Sequence, residues 1–503
     1  MKKRKMAKVA LVSALALALA LPVFAGGRAS SGSGGNTMRD ITILIYGDKT
    51  DRMAQYMATD IPKLLAEKGL NIRVDLQVAP WTDYASTQVE LRYASGEDFA
   101  TWTDMPFLSR CQGKGYLLDI TNLIDQHAPN VRREIDAASF DSFSINGRNY
   151  ALPVGNKPNA SEFFAVTLRQ DLLEEIGMKE IKTIEDLERF AVEGKKRHPD
   201  YIGIAEGSPT DTYGAVRLLS RYISDKNILF LNELVFTDAS ANNAQIWSYL
   251  ESDEFKKYAE IARRWNQLGI IDQRVLSDGT IANSKYLAAQ ALFRNGNAGR
   301  PWEEVGIMKA QNPNAKLRSY FIGDAKGRPL VSRGTYSTAF QLSVNSKHPE
   351  AFLQFINLIY SDRTTYNYMT YGIEGVDYTL NSAGKIATRP TPQVMFPEWC
   401  NNNSKWQLFE SIIDDAVIND YLNWNKGSIL QKDIGFIFDL EPVKVEYAQI
   451  QAVVNEYVPP IALGFRDYAS AYPELQRRLK NAGIDKYMTE YQKQFSDWYA
   501  KKK

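Results

Sequence analysis

The stretch "DITILIYGD" (residues 40–48), followed by "MAQYMATDIPKLLAEKG" (53–69) and "NIRVDLQVAP" (71–80), decides the fold. The first piece is a short β-branched apolar run stopped at Gly47, which reads as a strand. The second has helical spacing and ends on Gly69, the residue type that best tolerates the left-handed backbone after a helix. The third alternates apolar and polar residues as a second strand. Strand, helix, strand is the opening of an α/β domain with a parallel sheet.

Working outward, "MKKRKMAK" carries five positive charges, residues 9–21 are almost purely apolar, and Val23 and Ala25 suit a small-residue cleavage site. Residues 1–25 therefore read as a secretory signal peptide. The apolar run is too short, and too soon interrupted by Pro22, for a membrane anchor. Residues 26–38 are rich in Gly and Ser and read as a flexible leash. Taking the five basic residues of the signal from 60 basic against 59 acidic leaves 55 against 59. Such a weakly acidic balance argues against nucleic-acid or anionic-membrane partners. Two cysteines, Cys111 and Cys400, do not make a disulfide scaffold, and whether they pair is open at this level.

Further along, helices are expected at 81–98 (capped by Thr82 or Asp83), 117–129 (stopped by Pro129), 169–177, 183–197, 212–223 and 251–268. Thr183 and Asp186 fit a capping box. "INGRNYALP" (145–153) reads as an Asn-Gly hairpin turn leading into an extended crossing, and 325–345 as another. "HPEAFLQFINLIYSD" starts a helix with Pro349 in its first position and Glu350 in its first turn. Phe352, Phe355, Ile356 and Ile359 form its apolar stripe. The tail 441–503 reads as helical, with breaks at "VPP" (458–460) and Gly483.

Catalytic and cofactor motifs are missing. The three histidines, His127, His198 and His348, precede Ala-Pro, Pro and Pro at helix ends or in loops. There is no H-E-x-x-H, C-x-x-C, P-loop, G-x-G-x-x-G or G-x-S-x-G pattern, so neither metal nor cofactor is expected. Carboxylates are plentiful, and a glycosidase needs only two that face each other, so a secreted hydrolase stays as an alternative. What stands out is nine Trp, 27 Tyr and 22 Phe, several in polar loop-like surroundings: Trp81, Trp102, Trp302, Tyr336, Trp399 and Trp424. Flat rings can take the C–H face of a sugar while neighbouring polar groups take its hydroxyls. Burial as core is the ordinary alternative for each.

Four stretches carry a family resemblance. They are "WTDYASTQVELRYASGEDF" with "GYLLDITNLIDQHAPN", "INGRNYALP" leading to "TLRQDLLEEIGM", "NSKHPEAFLQFINLIYSDRTTYNYMTYGIEGVDYTLN", and the tail from "GFIFDLEPVKVEYAQIQAVVNEYVPPIALG" onward. On these the chain resembles the extracellular solute-binding proteins of ABC importers, within the large oligosaccharide-type lipoprotein subgroup that ends in a helical domain of unassigned function. The resemblance implies a type II periplasmic-binding-protein-like α/β fold. Two lobes would divide as 39–152 with 334–390 and 153–333 with 391–440, and 441–503 would pack on them. It implies a monomer that holds a carbohydrate between the lobes and passes it to permease subunits. Tyr46, Asp48, Trp81 and Trp102 would face the ligand from the first lobe, and Trp302, Arg333, Tyr336 and Trp399 from the second or the hinge. A peptide or other polar solute is the alternative ligand. The family's lipidated cysteine is replaced here by Gly26, and the acid usual after "SGEDF" by Ala100. These departures leave lipidation and that acid's role in question, with the protein either free in a periplasm or at a cell surface.

Overall fold

The computed structural model describes residues 37–80, 84–206, 213–323, 327–333, 338–390 and 393–502. The signal peptide, nearly all of the leash, Trp81 and Tyr336 lie outside them, as do the capping candidates Thr82 and Asp83.

The strands that position the site are β1 (Arg39–Tyr46), β2 (Ile72–Ala79), β3 (Ala100–Thr103), β4 (Ala151–Pro153), β5 (Ala165–Arg169), β6 (Ile202–Ile204), β7 (Ala291–Gly296), β8 (Leu317–Tyr320), β9 (Val331–Ser332), β10 (Ala339–Leu342) and β11 (Ile429–Leu430). One sheet has the order β2-β1-β3-β10-β4 and a second the order β8-β5-β7-β6. In the first, β1 runs parallel to β2 and β3, as the opening strand–helix–strand pattern requires, and β10 lies antiparallel between β3 and β4. In the second, β7 is parallel to β6 and antiparallel to β5.

Buried apolar residues form two large clusters. One joins Ile43, Trp102, Leu152, Phe340, Phe355 and Phe396 around the first sheet. The other joins Leu168, Phe190, Trp265, Phe293 and Met308 around the second, and takes in Ile450, Leu475 and Phe495 from the C-terminal helices Lys444–Ala462, Tyr468–Asn481 and Ile484–Lys502. The chain passes between clusters three times. It leaves the first after Val154 and reaches the second by Ala160, returns between Val331 and Ala339, and leaves again between Leu408 and Ile413. The third passage corrects the expected division at 391. Val394, Met395, Phe396, Cys400 and Leu408 are buried with the first sheet, because this apolar segment runs back over Phe340 and Phe355 before crossing.

The crossing segments are stitched side by side. Asn156 N–H donates to the Asn402 carbonyl at 2.9 Å, and Ser161 N–H to the Val331 carbonyl at 2.7 Å. β9 and β11 then pair in parallel. Local signals behave as their chemistry dictates. Thr183 and Asp186 close the capping box, Pro349 opens its helix, and Asn146 and Gly147 both adopt positive φ between two short antiparallel strands. Three expected boundaries shift. The helix expected at 81–98 is described over Tyr84–Ala94, beginning with a π turn at Tyr84–Val89. The helix expected at 117–129 is Thr121–His127, and Pro129, just past its end, also starts the next, Pro129–Glu134, where its missing N–H costs nothing. The prolines of "VPP" sit within the helix Lys444–Ala462, in its closing turns, and the chain breaks after Ala462 instead.

Candidate functional site

The C-terminal ends of β1 and β3 bring Tyr46 and Trp102 to one edge of the first sheet. Trp399, from the turn Glu398–Cys400, completes the group. Its ring lies 5.2 Å from Trp102, edge to face, and 5.9 Å from Tyr46. Such tilted and edge-on contacts suit aromatic quadrupoles and fix the rings in place. Trp102 is only 8% exposed, makes a tilted contact with Tyr84 and donates its indole N–H to Thr338 Oγ1. It is therefore a support for Trp399 more than a free face. Asp48 is exposed just beyond the strand. At Gly47, φ is +152° and a Cβ would stand 2.9 Å from the Gln393 side chain, so the turn out of β1 approaches that residue closely.

Gln393 and Trp399 belong to the wall of a cavity of about 560 Å³ between the two clusters. Opposite them stand Trp302 and Glu303 from the helix Arg300–Gln311. Trp302 is mostly buried, edge-on to Phe409 and Tyr421, with its indole N–H unpartnered among the described residues. Its size falls within the range of small-ligand sites, and aromatic walls with a few fixed polar groups are the usual composition of such sites.

The polar groups are ones the sequence did not single out. Glu303 pairs with the buried Lys157 on the first crossing, and Glu398 with the buried Arg389. Arg389 also lies over the Tyr371 ring at 5.2 Å. Burial raises the Glu398 carboxyl above its ordinary value, and Arg389 pulls it partly back. Glu410 lines the same wall. No helical periodicity or motif marks these acids, since each partner lies in another element. Asn402 and Asn403, beside the first crossing, are buried polar residues that "EWCNNN" gave no reason to separate from a loop.

The remaining candidates divide. Arg333 lies on the second crossing, donates from Nε to Gln431 at 3.0 Å, and lines a different cavity. Trp424 is 8% exposed and donates to the Ala160 carbonyl, so it is core packing. Ala100 is buried in β3, between β1 and β10, where an acid would have no water. Cys111 and Cys400 are free and buried, which closes the pairing question in favour of thiols. Among the described residues there is no cluster of metal-ligating side chains and no helix long and apolar enough to cross a membrane.

These features match a known family. Residues 47–366 match the model of the bacterial extracellular solute-binding proteins, and the chain belongs to that family. Residues 433–500 match a domain of unknown function, DUF3502. The chain is 24% identical over 520 aligned positions to a carbohydrate ABC transporter substrate-binding protein of Streptococcus pneumoniae serotype 4, covering 99% of both. The N-glycan transport solute-binding protein NgtS of Streptococcus pneumoniae superposes with a TM-score of 0.76 at 20% identity, covering 92% of this chain and 100% of that one. Its complex with Man5GlcNAc superposes with a TM-score of 0.67 at 21% identity, covering 92% and 99%. The fold is thus the two-lobed α/β architecture of solute-binding proteins.

Proposed function

We propose that this chain is the substrate-binding component of an ABC importer, and that it captures an oligosaccharide between its lobes and delivers it to the membrane permease. The observation that carries this is the cavity walled by Trp302 on one side and Trp399 on the other, with Glu303, Glu398 and Arg389 beside the rings. The rings take the apolar faces of sugar units, and the ion-paired carboxylates and guanidinium orient the hydroxyls. A ligand that touches both walls stabilises the closed arrangement by its differential contacts, which is how binding is signalled to a partner. The first lobe comprises 38–154 and 339–408, and the second 160–331 and 413–503. Tyr46, Trp302 and Trp399 are the chain's own contacts with the ligand, with Trp102 behind them. Asp48, Trp81, Arg333 and Tyr336 complete the proposed surface. The protein works as an exported monomer, in a periplasm or at a cell surface.

Of the three carboxylates in the cavity wall, Glu303 and Glu398 are tied to cations, Lys157 and Arg389, which leaves Glu410 without the second free acid that a hydrolase needs and favours binding over catalysis. The experiment is a thermal-shift panel of glycans and peptides, with product analysis of each mixture. Stabilisation that grows with glycan concentration, without cleavage, is the expected result. A response to peptides alone, or cleaved glycan, overturns it.

A further inference from the structure

A second cavity, of about 480 Å³, also lies between the two clusters and shares no lining residue with the first. Its first-lobe wall includes Phe143, and Arg333 of the second crossing borders it. The opposite wall is supplied largely by the region that matches DUF3502: Asp433, Phe436, Phe438 and Tyr491. This wall is rigidly built. Phe438 stacks on Tyr491 at 4.3 Å, and Phe436 is edge-on to Phe495 at 5.0 Å. The turn that presents them is closed by Phe436 N–H donating to the Asp433 carbonyl at 2.8 Å, and Gly435 there has φ of +86°. A Cβ on Gly435 would stand 3.6 Å from the Asp141 carbonyl of the first lobe, so the C-terminal region reaches across to that lobe.

The other acid of the wall is satisfied: Glu233 accepts from Tyr447 at 2.9 Å and from Gln451 at 2.6 Å. Asp433 is not. Its Oδ1 is buried and has no hydrogen-bond partner among the described residues. Leaving a carboxylate oxygen in that state is costly, and such groups in native structures call for an explanation. Burial also raises its carboxyl above the ordinary range, against the opposing pull of Arg333, Lys502 and Lys432. A carboxylate with one oxygen left without a donor, set in an aromatic wall, is complementary to a sugar ring, which offers hydroxyl donors at its edge and C–H groups on its face.

We propose that the DUF3502 region forms part of the carbohydrate-binding surface. Its cavity takes a saccharide unit of a longer ligand whose other end lies against Trp399, with Asp433 accepting from that unit's hydroxyls. This rests on the carbohydrate reading above. The test is calorimetric titration of the full chain and its variants with a glycan panel that includes Man1GlcNAc and Man5GlcNAc. Asp433→Asn, a near-isosteric change, is expected to weaken the longest glycan bound by at least about tenfold, the scale of one charge-assisted hydrogen bond. It should leave the shortest within about twofold, and raise the thermal midpoint of the unliganded protein because a buried charge is gone. Trp399→Ala should weaken both lengths. Asp433→Ala serves as a second variant with the same expected length dependence. Loss of affinity equal at all lengths, or no loss in either Asp433 variant while the wild type binds, overturns this inference alone. A wild type that binds no glycan of the panel refutes the carbohydrate reading, and this inference with it.

Discussion

Replacing Trp102 and Trp399 separately distinguishes a ring that supports the site from a ring that forms it. Trp102 is 8% exposed, donates its indole N–H to Thr338, and contacts Tyr84 at 6.2 Å and Trp399 at 5.2 Å. Trp102→Ala removes a buried indole, which costs about 3–5 kcal/mol. For a lobe of a few hundred residues that corresponds to a fall of roughly 6–20 °C in thermal midpoint. Trp399 is half-buried and loses two ring contacts, with Trp102 and with Tyr46, worth about 0.5–1.5 kcal/mol each. Its substitution therefore costs the fold less. It costs binding more: truncating an aromatic anchor at the cavity wall should remove about 2–3 kcal/mol of affinity, roughly 30–150-fold. Differential scanning fluorimetry and calorimetry with one glycan that the wild type binds measure both quantities. Trp102→Phe keeps most of the volume and gives a folded comparator. A Trp399→Ala protein with wild-type affinity, beside a folded Trp102→Phe protein that has lost it, would refute the assignment of roles.

Arg389→Met should destabilise the protein by about 3–5 kcal/mol in denaturant titration, because Glu398 is left buried without its cation. Arg389→Met with Glu398→Gln should recover much of that loss, and a double variant no better than the single would count against the pairing. Glu398 has its folded carboxyl raised by burial, so its contribution to stability is present at low pH and lost as pH rises from the ordinary carboxylate range through the raised value. Glu398→Gln should remove this component from the stability–pH curve, and identical curves for the two proteins would exclude it. Burial raises both thiols, that of Cys111 to about 11, so a thiol reagent should label neither in the native protein and both after denaturation without reductant. Fewer than two labelled thiols would show a disulfide.

Local structure was legible wherever neighbouring residues decide it. Thr183 with Asp186, Pro349 ahead of Phe352, and Asn146-Gly147 each state a backbone conformation within a few residues. The signals failed where a boundary depends on context. Pro129 is compatible with either end of a helix, and the prolines at 459 and 460 with the closing turns of one. Among the site candidates, sequence gave Trp102, Trp302 and Trp399 one reading as aromatics in polar surroundings; the structure places Trp302 and Trp399 in one cavity wall and Trp102 behind Trp399.

By itself, then, the sequence determined the periodicities, caps and turns, the parallel start of the first sheet, and an aromatic supply in loop-like surroundings. These follow from residues close together in the chain. The tertiary structure alone decided that the third crossing falls between Leu408 and Ile413, that Lys157 meets Glu303 and Arg389 meets Glu398, and that Asp433 faces a cavity with Phe143 of the first cluster. Each of these joins elements separated in sequence, and the energy of an ion pair or of a ring contact depends on distance and burial in space. A local pattern contains neither.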